Sequence, residues 1–320
     1  MKIVSFREDH SSQWDEFLKA CPMATFLHTR LFLSYHKNRF QDHSLILTDD
    51  DGDWLAVLPA AINPNDEAEI ISHPGITYGG ILHKGKLGGM IMVDALQEIC
   101  HFYKDKGYEK FLYKPIPYIY HQVPSSDDLY ALFRQNADLY RRDLSCAIDL
   151  DVPSPLSSKA LSTMRRRFRK AEEHRVLIYS SSDYLKELWE VLSKNLQEKY
   201  ATKPVHSYEE MKELLSRFPH NIRIFTALKD ERIVAGTVVF MNPSVYHTQY
   251  LVVTTEGAEV FALDYLLNRC IELAKEHKVR YFDFGISNEN QGQHLNQGLY
   301  MSKAKHGGGG IVHDFYRISL

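Results

Sequence analysis

Four cysteines in 320 residues, Cys21, Cys100, Cys146 and Cys270, are too scattered for a disulfide framework, and none forms a Cys-x-x-Cys pair. The same spacing argues against a zinc site. Sixteen histidines are dispersed without a His-Glu-x-x-His arrangement, so no structural metal is expected. No apolar run approaches the roughly 20 residues that cross a bilayer, and the opening MKIVSFREDHSSQW is too polar for a secretory signal. A cytoplasmic protein without a transmembrane segment is the expectation. A net charge of −3 gives no global drive toward DNA or an anionic membrane. Gly-x-Ser-x-Gly elbows, Walker loops and dinucleotide fingerprints are also lacking.

What is present is a pattern that occurs twice. Ser44–Pro64 reads as an apolar strand, an acidic Gly-containing turn and a second apolar strand, and Ile222–Pro243 repeats that order at nearly the same length. A further strand follows each hairpin, Glu69–Ser72 with Thr77–Leu82 in one half and Val245–Val253 in the other. An amphipathic helix comes next. Met92, Leu96, Ile99 and Tyr103 recur at helical spacing in the first half, as do Leu263, Leu266, Leu267, Cys270 and Ala274 in the second. Each helix leads to a new strand, Lys110–Tyr113 or Tyr281–Phe284, and helical segments precede each hairpin. A tandem duplication accounts for this better than coincidence. The Pro- and Ser-containing Asp149–Ser158 fits an exposed crossover, which divides the chain into domains 1–151 and 152–320.

The stretch Arg280–Gly310 carries the densest polar run: Ser287, Asn288, Glu289, Asn290, Gln291, Gln293, His294, Asn296 and Gln297, followed by Lys303, Lys305, His306 and four glycines. It reads as a long loop at a strand end, a common place for ligands in α/β proteins, with Gly307–Gly310 as a flexible link to a last strand, Ile311–Ser319. The residues DFGIS with Glu289, Gly292, Leu295, Asn296, Gly298, Leu299, Lys303 and Gly307 resemble the C-terminal signature of acyltransferases related to the Fem peptidyltransferases, proteins built from two GNAT-like domains. Two helices, a hairpin, a strand, a helix and a strand is the GNAT order, so the repeat points the same way. The resemblance implies an α/β (α+β) fold with two tandem GNAT-like domains, each a mixed, mostly antiparallel sheet flanked by helices. The main site would lie in the second.

It also implies an N-acyltransferase that moves an acyl or acetyl group from a CoA-type donor to an amine of a sugar or peptide precursor of cell envelope or polysaccharide. An acyl-CoA would be a co-substrate, with no tightly bound cofactor. One alternative is a Fem-type ligase using aminoacyl-tRNA; another, of a different class, is a non-catalytic binding module. GNAT enzymes hold the CoA pyrophosphate on backbone N–H groups at a helix start. The equivalent TTEGAEVFA, Thr254–Ala262, has one glycine, two acids and no base, so its carboxylates are expected to oppose a pyrophosphate; the Gly-rich His83–Met90 of the first half also lacks the donor pattern.

His247, Gln249 and Leu251 share one strand face, and Tyr246, Thr248 and Tyr250 the other. His247 has the intrinsic pKa of a general base, and Asp283, on the strand expected beside it, is the other candidate. Tyr78 occupies the matching place in the first repeat, so Tyr78, Gln249 and Tyr250 join Ser287, Glu289 and Asn296 as candidate substrate contacts. Resemblance assigns charge stabilisation to Lys303. The helix around Met164, Phe168 and Ala171 carries the strongest basic patch, from which Arg166 and Arg169 are the expected phosphate ligands. Phe32, Tyr35, His36 and Phe40 read as an aromatic core stripe.

Overall fold

The computed structural model describes the backbone over Met1–Leu320 and every side chain except that of Tyr200. The chain begins with β1 (Lys2–Ser5), α1 (Ser11–Leu18), α2 (Arg30–Leu33), β2 (Leu45–Thr48), β3 (Trp54–Leu58), β4 (Ala61–Asn63), β5 (Asp66–Ile71) and β6 (Leu82–His83). Then come α3 (Met90–Asp105), β7 (Lys110–Tyr113), α4 (Asp127–Arg134), β8 (Asp138–Asp149), α5 (Ser158–Glu173) and β9 (Leu177–Tyr179). They are followed by α6 (Leu185–Tyr200), α7 (Tyr208–Arg217), β10 (Ile222–Lys229), β11 (Arg232–Met241), β12 (Val245–Val253), α8 (Thr255–Glu259), α9 (Ala262–Glu276) and β13 (Tyr281–Ile286). The chain closes with β14 (Asn288–Glu289), β15 (His294–Leu295), α10 (Gln297–Ala304) and β16 (Gly309–Ser319).

Two compact units result. One holds Met1–Leu144, Asn288–Leu295 and Ile311–Leu320; the other holds Ser145–Ser287 and Asn296–Gly310. The chain therefore changes unit inside β8, at Leu144/Ser145, and its end belongs to the first unit. A contiguous division at 151/152 misses this, because pattern along a sequence does not record which sheet a distant strand joins. The expected glycine loop is corrected too. Asn296 Oδ1 accepts the Leu299 N–H at 3.0 Å and starts α10, while Gly309 and Gly310 already belong to β16.

In the second unit β9, β10, β11, β12 and β13 lie side by side, and Tyr281, Phe282 and Asp283 pair on the far edge with residues 147–149 of β8. The β-branched runs of β10 and β11 bury nearly every side chain, as expected for a central pair covered on both faces. The apolar stripe of α9, Leu266, Leu267, Cys270 and Ala274, packs with Phe225, Ala227 and Phe282 into one core. α6 lies on β11 and β12 and α7 on β10.

The first unit keeps the order hairpin, strand, helix, strand but divides its strands between two ladders, β1-β2-β3-β6 and β4-β5-β7-β16. The break between β3 and β4 falls at Pro59 and Ala60. Proline has no N–H to give a ladder, and the corresponding β11 has none and runs unbroken. Leu47, Leu58, Leu96, Ile99, Tyr103 and Phe111 form this unit's core. Phe32, Tyr35 and His36 are buried as the stripe predicts.

Candidate functional site

Parallel strands β12 and β13 pair only over Val245–His247 with Tyr281–Asp283. Beyond that point β12 continues to Val253 while β13 bends, its ladder to β8 slipping between Asp283 and Ile286. The bend needs Gly285. Its φ is +76°, and a Cβ there would lie 3.3 Å from Cε1 of His247. The last bridged pair before the strands part is His247 with Asp283.

Asp283 is completely buried. Its carboxylate takes the Ser145 hydroxyl, the Gly285 N–H at 3.1 Å and His247 Nδ1 at 2.7 Å. Because a carboxylate surrounded by donors accepts only, Nδ1 carries the imidazole hydrogen and Nε2 is left as the acceptor. Asp283 thus orients the ring, and His247 is the group available to move a proton.

Lys303 sits in the last turn of α10 and is buried. Its ammonium donates to Gly285 O at 2.9 Å and Ile286 O at 2.7 Å, which leaves one of its three N–H groups unspent. Burial pulls the Lys303 pKa down to about 8, with the Asp283 charge acting in opposition. Gly285 thus joins the two groups: its N–H goes to the Asp283 carboxylate that holds His247, and its carbonyl takes the Lys303 ammonium. The Ser287 hydroxyl, just beyond, is buried without a hydrogen-bond partner among the described residues.

Lys303 also lines a cavity of about 450 Å³ bounded by α10, the end of β12, the start of α9, and one face each of α5 and α6. Arg167, Lys199, Lys303 and Lys305 bring four positive charges to it, against the single carboxylate of Asp264. Asp264 accepts from Arg167 at 2.9 Å and Lys305 at 2.6 Å, with His306 Nε2 at 3.5 Å. Burial would raise the Asp264 pKa, but the hydrogen bonds and charges of His306 and Lys305 hold it well below the ordinary carboxylate range. Glu256 and Glu259, expected to repel a pyrophosphate, do not line the cavity. Glu256 is held by Lys229 at 2.6 Å, and Glu259 is exposed.

The other expected residues scatter. Arg166 and Arg169 are exposed, and Arg169 faces Glu173 at 3.6 Å; the arginine of this helix that reaches the cavity is Arg167. Asn296 spends its side-chain oxygen on the helix cap. The Tyr250 hydroxyl accepts the His206 backbone N–H at 3.1 Å, lies 2.6 Å from His206 Nδ1, and its ring packs on Trp189. Gln249 lies beside it, part-buried. Tyr78 is a buried core residue of the first unit, bonded to Thr25 and stacked on Tyr120, and Glu289 is an exposed residue of the β14–β15 hairpin.

Ser145 and Asp264 escape sequence reasoning. Ser145 offers no signal beyond an ordinary polar residue in a strand. Asp264 gives one: it falls at helical spacing from Leu267 and Ile271, on a buried face where a carboxylate is costly unless paired.

Residues 158–291 match the family model of the acetyltransferase (GNAT) domain. Over its whole length the chain is similar to the crystal structure of FemX, with a TM-score of 0.68 at 11% identity, covering 100% of this chain and 98% of that one. The C-terminal domain of a putative lysylphosphatidylglycerol synthetase from Agrobacterium fabrum aligns with a TM-score of 0.65 at 12% identity over 97% and 92%. A tandem GNAT protein from the clavulanic acid biosynthesis pathway gives 0.53 at 12% over 99% and 98%. No curated protein matches the sequence. Residues 158–291 thus resemble a GNAT acetyltransferase domain, in a chain whose fold is similar to those of FemX and of a tandem GNAT protein. No helix among the described residues is long and apolar enough to cross a membrane.

Proposed function

We propose that the second unit transfers an acyl group from a CoA-type thioester to an amine, forming an amide. The observation that carries this reading is the meeting of the His247–Asp283 pair and the Lys303 ammonium at Gly285, with Lys303 also lining the cavity. His247 Nε2 takes the proton as the amine attacks the carbonyl carbon. The C–N bond forms, and the carbonyl electrons move to oxygen. The unspent Lys303 N–H stabilises that oxyanion, and collapse expels the thiolate. A charged donor in a buried site is well suited to this, because it costs little reorganisation as the negative charge develops. Arg167, Lys199 and Lys305 would meet the phosphates of the donor. The acceptor we favour is an amino sugar or peptide amine of a cell-envelope or polysaccharide precursor.

A second reading is supported by Asp264. A carboxylate in the first turn of α9 engages that helix start with negative charge and so opposes an anion bound on its N–H groups. An aminoacyl ester donor, as in a Fem-type ligase, needs no pyrophosphate there. Thermal stabilisation separates the two: acetyl-CoA should raise the melting temperature under the first reading, and aminoacyl-tRNA should do so under the second. If neither donor shifts the transition of the wild-type chain, catalysis on this fold is wrong and a binding module is left.

A further inference from the structure

The second unit holds another concavity that shares no lining residue with the cavity at Lys303. It is a groove of about 600 Å³ between α5, α9 and the β9–β10 pair. Phe225, Ile178 and Val176 lie along it with Phe168 of α5 and Tyr265 and Leu273 of α9. At one end is Arg223, part-buried on β10. Its guanidinium has no hydrogen bond or ion pair to any described residue, although its charge reaches the Tyr246 phenol. Arg223 and Ser180 are also shared with an adjoining hollow of about 700 Å³ that Lys186 and Lys212 line.

An arginine that lines a groove without an ionic partner leaves its guanidinium fork available to an anion. Here two acids of the groove are already engaged. Glu172 accepts the Tyr265 hydroxyl at 3.3 Å, and Glu272 is paired with Arg269 at 3.3 Å. We propose that this groove binds a small amphipathic carboxylate, its apolar or aromatic body against Phe168, Tyr265 and Phe225 and its carboxylate on Arg223. The volume is that of a small-molecule site, and a guanidinium fork fits a carboxylate bidentately. A phosphate dianion is disfavoured, because Glu172 and Glu272 also line the groove and oppose a second negative charge, and Arg269 is already held by Glu272 and Glu276.

Ligand-observed NMR on the full chain tests this, with 3-phenylpropionate and its neutral amide as probes. The acid should bind saturably and the amide about tenfold more weakly, a difference worth roughly one charge-assisted hydrogen bond. Arg223→Met, which keeps an aliphatic stem in place, should weaken the acid about tenfold and leave the amide unchanged. Glu172→Gln should tighten the acid. Comparing acid with amide on the wild-type chain needs no variant, so a misfolded Arg223→Met protein does not shelter the idea. Absence of saturable binding, equal affinity for acid and amide, or an Arg223→Met chain that binds the acid like wild type would each overturn it.

Discussion

Each unit contains one short parallel ladder, and the two differ most at its last rung. In the first unit β5 and β7 pair over Glu69–Ile71 and Lys110–Leu112, ending on Ile71 beside Leu112; in the second the ladder ends on His247 beside Asp283. The same backbone device therefore closes on two aliphatic side chains in one unit and on a base and an acid in the other. The first unit does not lack buried bases. His28 and His73 are pushed down by burial, His28 to about 3, and Lys114 is pushed down to about 7, with Arg141 adding to the effect. None of these three is hydrogen-bonded to a carboxylate. In the second unit Asp283 works against the burial of Lys303 and leaves it at about 8. Burial lowers both lysines, and the charges beside them act in opposite senses: Asp283 opposes the shift at Lys303, whereas Arg141 adds to it at Lys114.

The strongest way to break this contrast is to give the second ladder the ending of the first. His247→Ile with Asp283→Leu should lower turnover by 10²–10⁴-fold, the usual worth of general base catalysis. Stability should fall by no more than a few kcal/mol: replacing a buried pair by apolar groups is often neutral or stabilising by about 1–4 kcal/mol, which offsets much of the cost of the stranded Ser145 hydroxyl and Gly285 N–H, about 1–3 kcal/mol each. Turnover within threefold of wild type would remove the pair from the mechanism.

Lys303→Met comes next, with an expected loss of about 10²-fold in kcat from one oxyanion donor. Wild-type activity should also fall as pH rises through about 8, where Lys303 loses its proton. The same titration appears in stability. Its folded pKa is lowered from 10.5, so between about 8 and 10.5 the unfolded chain binds more protons and the folded state gains stability as pH rises. Melting curves of wild type and Lys303→Met that stay parallel across this window would contradict the assignment.

Lys114→Met should sharpen the contrast by leaving turnover alone. Lys114 donates to the His73 and Ile76 carbonyls and is lowered from 10.5 to about 7. Wild-type stability should therefore rise from about pH 7 to 10.5, and that slope should flatten in the variant. A loss of kcat comparable to that of Lys303→Met would show that the first unit takes part in the chemistry.

How much of this was legible depends on the kind of order involved. The helical spacing of Leu266, Cys270 and Ala274 and the β-branched runs of β10 and β11 state their burial locally, so the elements of both halves could be read. The pairing of His247 with Asp283 followed from strand order. The exchange of residues 288–295 and 311–320 into the first unit could not, because no local pattern marks which ladder β16 joins. Polar residues in the 287–297 run carry structural work that spacing does not show: the Asn296 side-chain oxygen caps α10. Among the arginines of α5, sequence favoured those farthest from the apolar face, but a cavity buried under a helix is reached from the edge of that face, where Arg167 lies.

That last point yields the smallest expected effect. Arg166→Ala with Arg169→Ala removes two exposed side chains, one of which faces Glu173 on the solvent side. Exposed pairs of this kind contribute about 0–1 kcal/mol, and surface substitutions away from special features usually stay within about 0.5 kcal/mol. Stability and kcat should be unchanged, and KM for the donor should rise by no more than about twofold, the residue of a screened long-range attraction. Arg167→Met is the necessary partner experiment, because it strips the cavity of a guanidinium and leaves Asp264 with Lys305 and His306. Its donor KM should rise about tenfold, the cost of one charge-assisted contact. A reversed ranking, with the exposed pair costing more than Arg167, would move the donor out of the cavity and onto the solvent face of α5.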